Sequence, residues 1–203
     1  MRKPLFIFTF IALCLLAGCN SSNREILYSS NSNDQCITLG NLEDWGVEII
    51  SHKFENGIGI IKFSGKIEKI LEKAFSYCSS LRRITLPNSV RSIGENAFSH
   101  CSSLTSVTIP NRVTSIGESA FSHCSSLTSI TIPDSVTSIG YQAFNSCNGF
   151  TSVYFKPRTP PKGVQSMLTG NDWRLKIYVP SNSVDTYKSE LSNWRYSIVG
   201  YDF

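Results

Sequence analysis

The sequence predicts a repeat solenoid, a stack of similar units in which each unit contacts only its neighbours. The residues from Phe98 to Ser106 read Phe-Ser-His-Cys-Ser-Ser-Leu-Thr-Ser, and the same run stands at Phe121 to Ser129, 23 residues later. Weaker copies flank both runs. Self-similarity at about 20 to 29 residues is typical of stacked units that bury a shared core, so we expect an extended binding surface and not an enclosed pocket.

The composition is that of a folded chain with nearly balanced charge. The 203 residues are 41% hydrophobic and 17% charged, with a formal net charge of +4. Arg2 and Lys3 lie in a segment that we expect to be removed, and without them 17 basic residues face 15 acidic ones. This balance argues against a nucleic acid or an acidic substrate as the partner.

Residues 1–18 have the pattern of a secretory signal. Their two basic residues supply the positive start, and the apolar run from Leu5 to Leu16 spans 12 residues, fewer than a membrane-spanning helix needs. The segment Leu16-Ala17-Gly18-Cys19 resembles the bacterial lipobox. That resemblance implies cleavage before Cys19, lipidation of its sulfur, and an exported lipoprotein anchored at the outer membrane or cell surface. The alternative is an ordinary secretory signal, which would leave a soluble secreted protein.

Two segments separate this signal from the repeats. Residues 19–35 are rich in Ser and Asn, which predicts a polar tether in which only Ile26 to Tyr28 could pack. Residues 36–57 contain a partly alternating apolar run from Val47 to Ile50. That alternation predicts a strand pair that caps the start of the stack.

Each repeat, within residues 58–157, is expected to begin with a short strand. Three apolar columns recur, and the last two alternate with outward residues in the period-2 pattern of a strand with one buried face. Pro87, Pro110 and Pro133 end three of these strands, because proline cannot donate to a strand ladder. The columns are Ile58, Leu81, Leu104, Leu127 and Phe150; Ile61, Ile84, Val107, Ile130 and Val153; and Phe63, Leu86, Ile109, Ile132 and Phe155.

The second half of each repeat predicts a bend followed by a helical turn. The run Val90-x-x-Ile93-Gly94, then Ala97-Phe98 and Cys101, recurs in later copies, whereas the first copy has Leu71 in place of the Gly. Gly at the bend admits a positive φ, and the spacing of Ala, Phe and Cys suits a helical turn with these side chains inward. Backbone entropy exceeds the apolar burial of an isolated unit, so stability requires stacking.

The cysteine of each repeat is expected to be a buried thiol, because it stands on the inward side of its turn and free Cys behaves as a small hydrophobe. Disulfides between neighbouring copies are the alternative in an exported protein. The pairs His100-Cys101 and His123-Cys124 could suggest zinc or a Cys–His nucleophile, but an inward Cys leaves the adjacent His facing solvent. We therefore expect no metal, no cofactor and no catalytic residue. The repeat cysteines are Cys78, Cys101, Cys124 and Cys147, and Cys36 has no repeat partner.

Residues 158–203 predict a C-terminal cap made of a strand and a short helix. The run from Leu175 to Val179 is strand-like, and Val184, Tyr187 and Leu191 follow at helical spacing, with Ser181 or Ser183 as the N-cap. These elements would cover the open edge of the stack.

The complete repeat pattern, Leu-x-x-Ile-x-Leu/Ile-Pro-x-x-Val-x-x-Ile-Gly-x-x-Ala-Phe-x-x-Cys, resembles the BspA-like, or TpLRR-type, leucine-rich repeat. The resemblance implies a leucine-rich-repeat solenoid of 23-residue units, each a short strand plus a helical or extended turn, with N- and C-terminal caps. It also implies a non-enzymatic surface protein, often lipid anchored, that binds a protein or glycan. Periodicity alone shows only the solenoid.

The outward strand positions are the candidate binding face. They are rich in hydroxyl groups, basic at the N-terminal end and aromatic only at Tyr154, so binding would be weak or would depend on many copies acting together. Ser and Thr are also ordinary exposed strand residues, and the rows need carry no function. The candidates are Lys62, Arg82, Arg83, Thr85, Thr105, Ser106, Thr108, Thr128, Ser129, Thr131, Ser152 and Tyr154.

Two function classes follow from these observations. The first is a lipid-anchored surface protein whose repeat face binds an extracellular protein or glycan in adhesion or in contact with a host or neighbouring cell. The second is a structural or accessory subunit of a bacterial envelope complex. In both, the membrane is contacted through the lipid anchor, and nucleic acid is not a partner.

Overall fold

The computed structural model describes residues 23–31 and 45–203. The predicted signal, Cys19 and Cys36 lie outside the described residues. Where the chain is described, no helix combines the length and the apolar character that crossing a membrane requires. Within these described residues the strands are β1 (Glu25–Ser30), β2 (Ile49–Glu55), β3 (Ile58–Phe63), β4 (Lys69–Ile70), β5 (Leu81–Thr85), β6 (Ser92–Ile93), β7 (Ser106–Thr108), β8 (Ser115–Ile116), β9 (Ser129–Ile132), β10 (Ser138–Ile139), β11 (Ser152–Phe155), β12 (Lys176–Pro180) and β13 (Ile198–Tyr201), together with an α-helix, α1 (Val184–Glu190).

The repeats stack in register as two sets of parallel strands. Residues that pair between neighbouring repeats lie 23 positions apart, as in Arg83 with Ser106 and Ser152 with Ser129. The strands β5 and β7 belong to one sheet with β1, β2 and β3, and the strands β9 and β11 belong to another with β12 and β13. The two sheets meet where β7 and β9 contact each other without being paired as strands, and we call the two together the main sheet. The strands β4, β6, β8 and β10 form a second sheet. The stacked solenoid predicted from the repeats is therefore observed.

The second sheet corrects the expectation of a simple bend. Ser92 and Ile93 pair with Ser115 and Ile116 as parallel strands, and the same pairing recurs along the stack. Such strands are too short to be recognised by alternation, because a two-residue strand shows only one inward position.

The start of the stack also differs from the sequence-based expectation. Strand β1 lies between β3 and β5 and pairs antiparallel with both, so Ile58 is not a neighbour of Leu81. Residues Glu25–Ser30 fall in the predicted tether of residues 19–35, and that prediction is wrong for this part of it. Burial explains the difference, because Ile26 and Tyr28 are fully buried between the β2–β3 hairpin and the repeats.

The turn after each second-sheet strand is not helical, which corrects the helical-turn prediction. Phe98 N–H donates to Ala120 O at 2.7 Å, and His100 N–H donates to Ser122 O at 2.8 Å, so alternate amides bond to the next repeat. In a continuous helix these amides would bond within the helix. The direction of the backbone amides alternates because residues with left-handed backbone conformation interrupt the turn, with φ of 52° at Asn96 and 59° at His100. Ala97, Phe98 and Cys101 still face the core, as predicted.

The repeat glycines have a different role from the one expected. Gly94, Gly117 and Gly140 are not among the glycines with positive φ. Instead, a Cβ on Gly117 would lie 2.6 Å from Glu95 N and 2.6 Å from the carbonyl carbon of Gly94. Glycine is required here because the backbones of neighbouring repeats approach too closely for any side chain.

The segment after the repeats continues both the stack of turns that follow the second-sheet strands and the main sheet. Phe144 N–H donates to Met167 O at 2.9 Å beside a 3₁₀ helix over Val164–Ser166, and β12 pairs parallel to β11. Ser183 occupies the N-cap position of α1 without a side-chain capping bond. Sequence reasoning missed β13, which pairs parallel to β12 at the edge of the main sheet. The Tyr187 hydroxyl of α1 donates to Pro157 O at 2.8 Å and ties the helix to the end of the repeats.

Candidate binding surface of the main sheet

The predicted rows of outward residues are brought together by the parallel register. Ser152 pairs with Ser129, and Tyr154 pairs with Thr131, while the alternate residues Val153 and Ile130 are buried. In the middle of the sheet the outward side chains are exposed, and at β11 they are half-buried. The residues placed on this face as predicted are Ser106, Thr108, Ser129, Thr131, Ser152 and Tyr154.

The N-terminal part of the face departs from the prediction. Thr85 is only 6% exposed, because β1 lies directly beside it and pairs Leu27 with it. Lys62 stands on β3, on the far side of β1, where its Nζ is 3.0 Å from Glu25 Oε1. Arg82 is exposed and Arg83 is half-buried. The basic group therefore does not form one continuous patch with the hydroxyl rows.

The outermost threonine row serves the stack itself. Thr105 Oγ1 donates to Arg82 O at 3.0 Å, and Thr151 Oγ1 donates to Thr128 O at 3.2 Å. Each hydroxyl thus accompanies the backbone bond from the same residue to the preceding repeat, as in Thr105 N–H to Arg82 O at 2.9 Å. Thr105 has a structural role that the sequence did not reveal.

The expectation that the face is aromatic only at Tyr154 is wrong. Tyr154 stacks on Tyr178 of β12 with ring centroids 4.7 Å apart, and Tyr201 of β13 packs edge-on against both rings at 5.9 and 5.7 Å. Phe203 lies 5.0 Å from Tyr201. We call Tyr154, Tyr178, Tyr201 and Phe203 the aromatic cluster. Only Tyr154 belongs to the repeat pattern, but the outward position of Tyr178 could have been read from the alternation of Leu175 to Val179.

A cleft with charged walls borders the aromatic cluster. It has a volume of about 700 Å³, and Tyr201 and Phe203 form part of its lining. Lys156 and Arg158 contribute positive charge, and Asp134 and Asp202 contribute negative charge. The C-terminal end of the main sheet therefore places exposed rings beside charged groups of both signs.

The repeat cysteines are buried thiols outside any disulfide, which confirms the prediction. Cys101 Sγ donates to Phe75 O at 3.0 Å, and Cys124 Sγ donates to Phe98 O at 3.2 Å. Burial raises the pKa of Cys124 well above its ordinary value and that of Cys147 to about 12. Such thiols stay protonated at neutral pH and are poor nucleophiles. All four, Cys78, Cys101, Cys124 and Cys147, are fully buried.

The histidines beside these cysteines form a stack at the surface. His100 lies between Tyr77 and His123, with ring centroids 4.5 and 4.4 Å away and nearly parallel planes. Each of the three ring-bearing residues itself has a left-handed backbone conformation, with φ near 60°. Among residues 23–31 and 45–203, no three His, Cys, Asp or Glu side chains group closely enough to hold a metal ion.

The histidine stack predicts that the protein loses stability in mild acid. Partial burial, and secondarily His123, lower the pKa of His100 from its ordinary value of 6.5. The folded protein therefore binds this proton less readily than the unfolded chain does. The contribution of His100 to the free energy of unfolding is complete above the ordinary pKa of 6.5, and it is lost as the pH falls through the lower pKa of the folded state. Urea unfolding at pH 7.5 and 5 should show a larger loss in the wild type than in H100Q/H123Q. Equal losses would mean that the stack does not cause the pH dependence.

Comparison with known proteins agrees with this architecture. The family model described as a BspA type leucine rich repeat region matches residues 48–160 in six copies. The leucine-rich repeat protein of T. pallidum (TpLRR) is 29% identical, with a TM-score of 0.45 over 58% of this chain and 53% of that one. A leucine-rich repeat protein from Bacteroides ovatus is 27% identical, with a TM-score of 0.40 over 59% of this chain and 39% of that one.

The pneumococcal vaccine antigen PcpA shares the fold at lower identity. It is 20% identical, with a TM-score of 0.52 over 68% of this chain and 40% of that one. The chain thus spans about half or less of the length of these solved relatives. No curated protein matches the chain significantly. Because the matched region of residues 48–160 makes up more than half of the 203 residues, the chain belongs to the BspA-type leucine-rich repeat family.

Proposed function

We propose that this is a non-catalytic surface protein, lipid anchored at Cys19, that binds an extracellular protein or glycan through the main sheet. The observation that carries the proposal is the aromatic cluster at the C-terminal end of that sheet. Members of the BspA-type family are often surface or adhesion proteins, which supports the same conclusion.

The chemistry of the cluster favours a protein as the partner. Tyr supplies a large, rigid contact area with few rotatable bonds, and Tyr is enriched among the residues that dominate binding energy at protein interfaces. The neighbouring rows of Ser and Thr supply small hydrogen-bonding groups, and Tyr with Ser is the composition of antibody recognition surfaces. Tyr201 and Phe203 are 44% and 53% exposed, so a partner can reach them without rearrangement.

A non-catalytic role is supported by the state of the candidate nucleophiles. The repeat thiols are buried with raised pKa values, and the adjacent histidines stack on each other at the surface. A nucleophile needs its base within hydrogen-bonding reach and needs access to substrate. Proteins of this repeat family are generally binding proteins without enzymatic activity.

Replacing Tyr178 with alanine is expected to weaken partner binding about tenfold or more, because the change removes the ring on the middle strand, which packs against both Tyr154 and Tyr201. The measurement is surface plasmon resonance of the chain from residue 19 onward over immobilised matrix and mucosal proteins, neutral glycans and intact neighbouring cells. Tyr141→Ala is the matched control, since Tyr141 is 55% exposed and lies outside the cluster. Thermal melting of both variants checks that folding is retained.

The outcomes separate the two function classes. Equal binding by Tyr178→Ala and wild type would show that the aromatic cluster is not the contact surface. If the wild type binds none of these partners but co-purifies with one stoichiometric envelope protein, the chain is an accessory subunit of an envelope complex. Protease treatment of intact cells, followed by detection of this chain, reports whether the sheet is displayed outside the cell.

A further inference from the structure

A second cleft lies in the C-terminal segment, on residues that the main-sheet proposal does not use. It has a volume of about 480 Å³ and is formed by residues from two segments, 165–173 and 193–197. None of its lining residues belongs to the aromatic cluster or to the charged cleft beside it. Its size falls within the range of about 300 to 1,000 Å³ that is typical of small-ligand sites. We call it the tryptophan cleft.

Three aromatic side chains line the tryptophan cleft, namely Trp173, Trp194 and Tyr196. Trp173 is 80% exposed and Tyr196 is 89% exposed, whereas Trp194 is partly buried and packs on the core. Exposed aromatic surface of this size has no role in packing the fold, and a concentration of it around a concave site indicates a ligand. The Arg195 guanidinium lies 5.3 Å from the centre of the Tyr196 ring and helps to orient it.

The two walls of the cleft are held in place by hydrogen bonds. The Asn171 side-chain amide donates to Phe144 O at 2.7 Å and to Leu168 O at 2.8 Å, and Ser197 Oγ donates to Trp173 O at 3.3 Å. Gly170 turns the chain within the first wall, residues 165–173, with φ of 75°, at a position where a Cβ would meet Ser146 Oγ at 2.8 Å. A cleft fixed in this way loses little entropy when it binds a ligand.

The polar lining of the cleft carries no charge. Amide groups come from Gln165, Asn171 and Asn193, and hydroxyl groups come from Thr169 and Ser197. The Asn171 Oδ1 atom has no hydrogen-bond partner among the described residues, but it is buried and is therefore not part of the open surface of the cleft.

We propose that the tryptophan cleft binds a neutral oligosaccharide. A sugar ring has an apolar face of C–H groups that packs on an aromatic ring, whose own face is electron-rich, and a rim of hydroxyls that bond to amides and hydroxyls. The lining offers both kinds of contact and no charged side chain to pair with an acidic sugar. The cleft and the aromatic cluster would then be two separate sites on one chain.

The test is a binding titration of the full chain from residue 19 onward against defined neutral hexasaccharides of glucose, mannose and xylose, with sialyllactose and a heparin hexasaccharide as acidic probes. Tryptophan fluorescence gives the readout, since two of the three tryptophans, Trp173 and Trp194, line the cleft. We expect a saturable emission shift with at least one neutral sugar and none with the acidic probes. Trp173→Ala and Tyr196→Ala should each weaken binding about tenfold, measured by calorimetry.

The controls distinguish this site from the main sheet. Tyr141→Ala removes a comparable exposed aromatic ring elsewhere and should leave sugar affinity unchanged, and so should Tyr178→Ala. The proposal is overturned if no neutral sugar binds, if only an acidic probe binds, or if Trp173→Ala and Tyr196→Ala bind as well as the wild type. It is also overturned if these two changes dissociate a dimer of the chain, because the cleft would then be a contact between copies.

Discussion

Replacing Phe121 with alanine is expected to lower the free energy of unfolding by about 4 kcal/mol. Phe121 is fully buried in a column of stacked rings, with its centroid 5.0 Å from Phe98 and 5.4 Å from Phe144. Removing the ring leaves a cavity that both neighbours line, and the inter-repeat amide bonds on either side hold the repeats at their spacing, so the stack cannot collapse to fill it. Urea unfolding monitored by circular dichroism measures the change.

The matched control for this prediction is an exposed ring in the equivalent turn of another repeat. Tyr77→Ala removes a side chain that is 73% exposed, so its effect should stay within about 1 kcal/mol. Similar losses in the two variants would show that the stacked core does not supply the stability of the solenoid.

Replacing Gly117 with alanine should destabilise the protein by about 3 kcal/mol, although it adds a single methyl group. The new Cβ would stand 2.6 Å from two backbone atoms of the preceding repeat. A side chain in that position could rotate away, but backbone cannot, and the repeats would have to separate. Separation would lengthen the bond from Gly117 N–H to Ile93 O, which is 2.8 Å in the structure.

The adjacent exposed residue provides the comparison for this change. Glu118→Ala alters the same turn without approaching the neighbouring backbone and should change stability by less than about 0.5 kcal/mol. Thermal unfolding of the two variants side by side is sufficient. A Gly117→Ala protein as stable as Glu118→Ala would mean that the close approach of the repeats is not required.

The repeat architecture could be predicted because its signal is repeated. Columns such as Leu104 and Leu127 combine inward position, strand alternation and a fixed interval, and each copy reinforces the others. The buried thiols followed from the same columns. Strand β1 could not be predicted in this way, because it occurs once and pairs with strands on both sides that are distant in sequence. Its apolar residues Ile26 to Tyr28 stand in a polar segment, which favoured the tether interpretation.

The turn and the candidate site show a second limit. The inward spacing of Ala97, Phe98 and Cys101 fits a helical turn, yet the backbone amides of this segment bond alternately to the preceding turn of the same repeat and to the next repeat. The spacing of inward side chains cannot distinguish a helical turn from a turn whose amides bond to the next repeat. The outward rows were predicted from alternation, but the aromatic cluster was not. Tyr201 lies beside Tyr154 because β13 pairs with β12 and β12 pairs with β11, and the repeat pattern does not contain β12 or β13.

If the chain is anchored as proposed, the pairing of β1 with β5 also limits the distance between the folded repeats and the bilayer. For a chain anchored at Cys19, as proposed, five residues lie between the acylated position and the first residue of β1, Glu25. Fully extended, the connection from Cys19 to Glu25 spans at most about 20 Å. The solenoid would then lie close to the lipid headgroups, and a ligand would have to approach within a few nanometres of the membrane to bind.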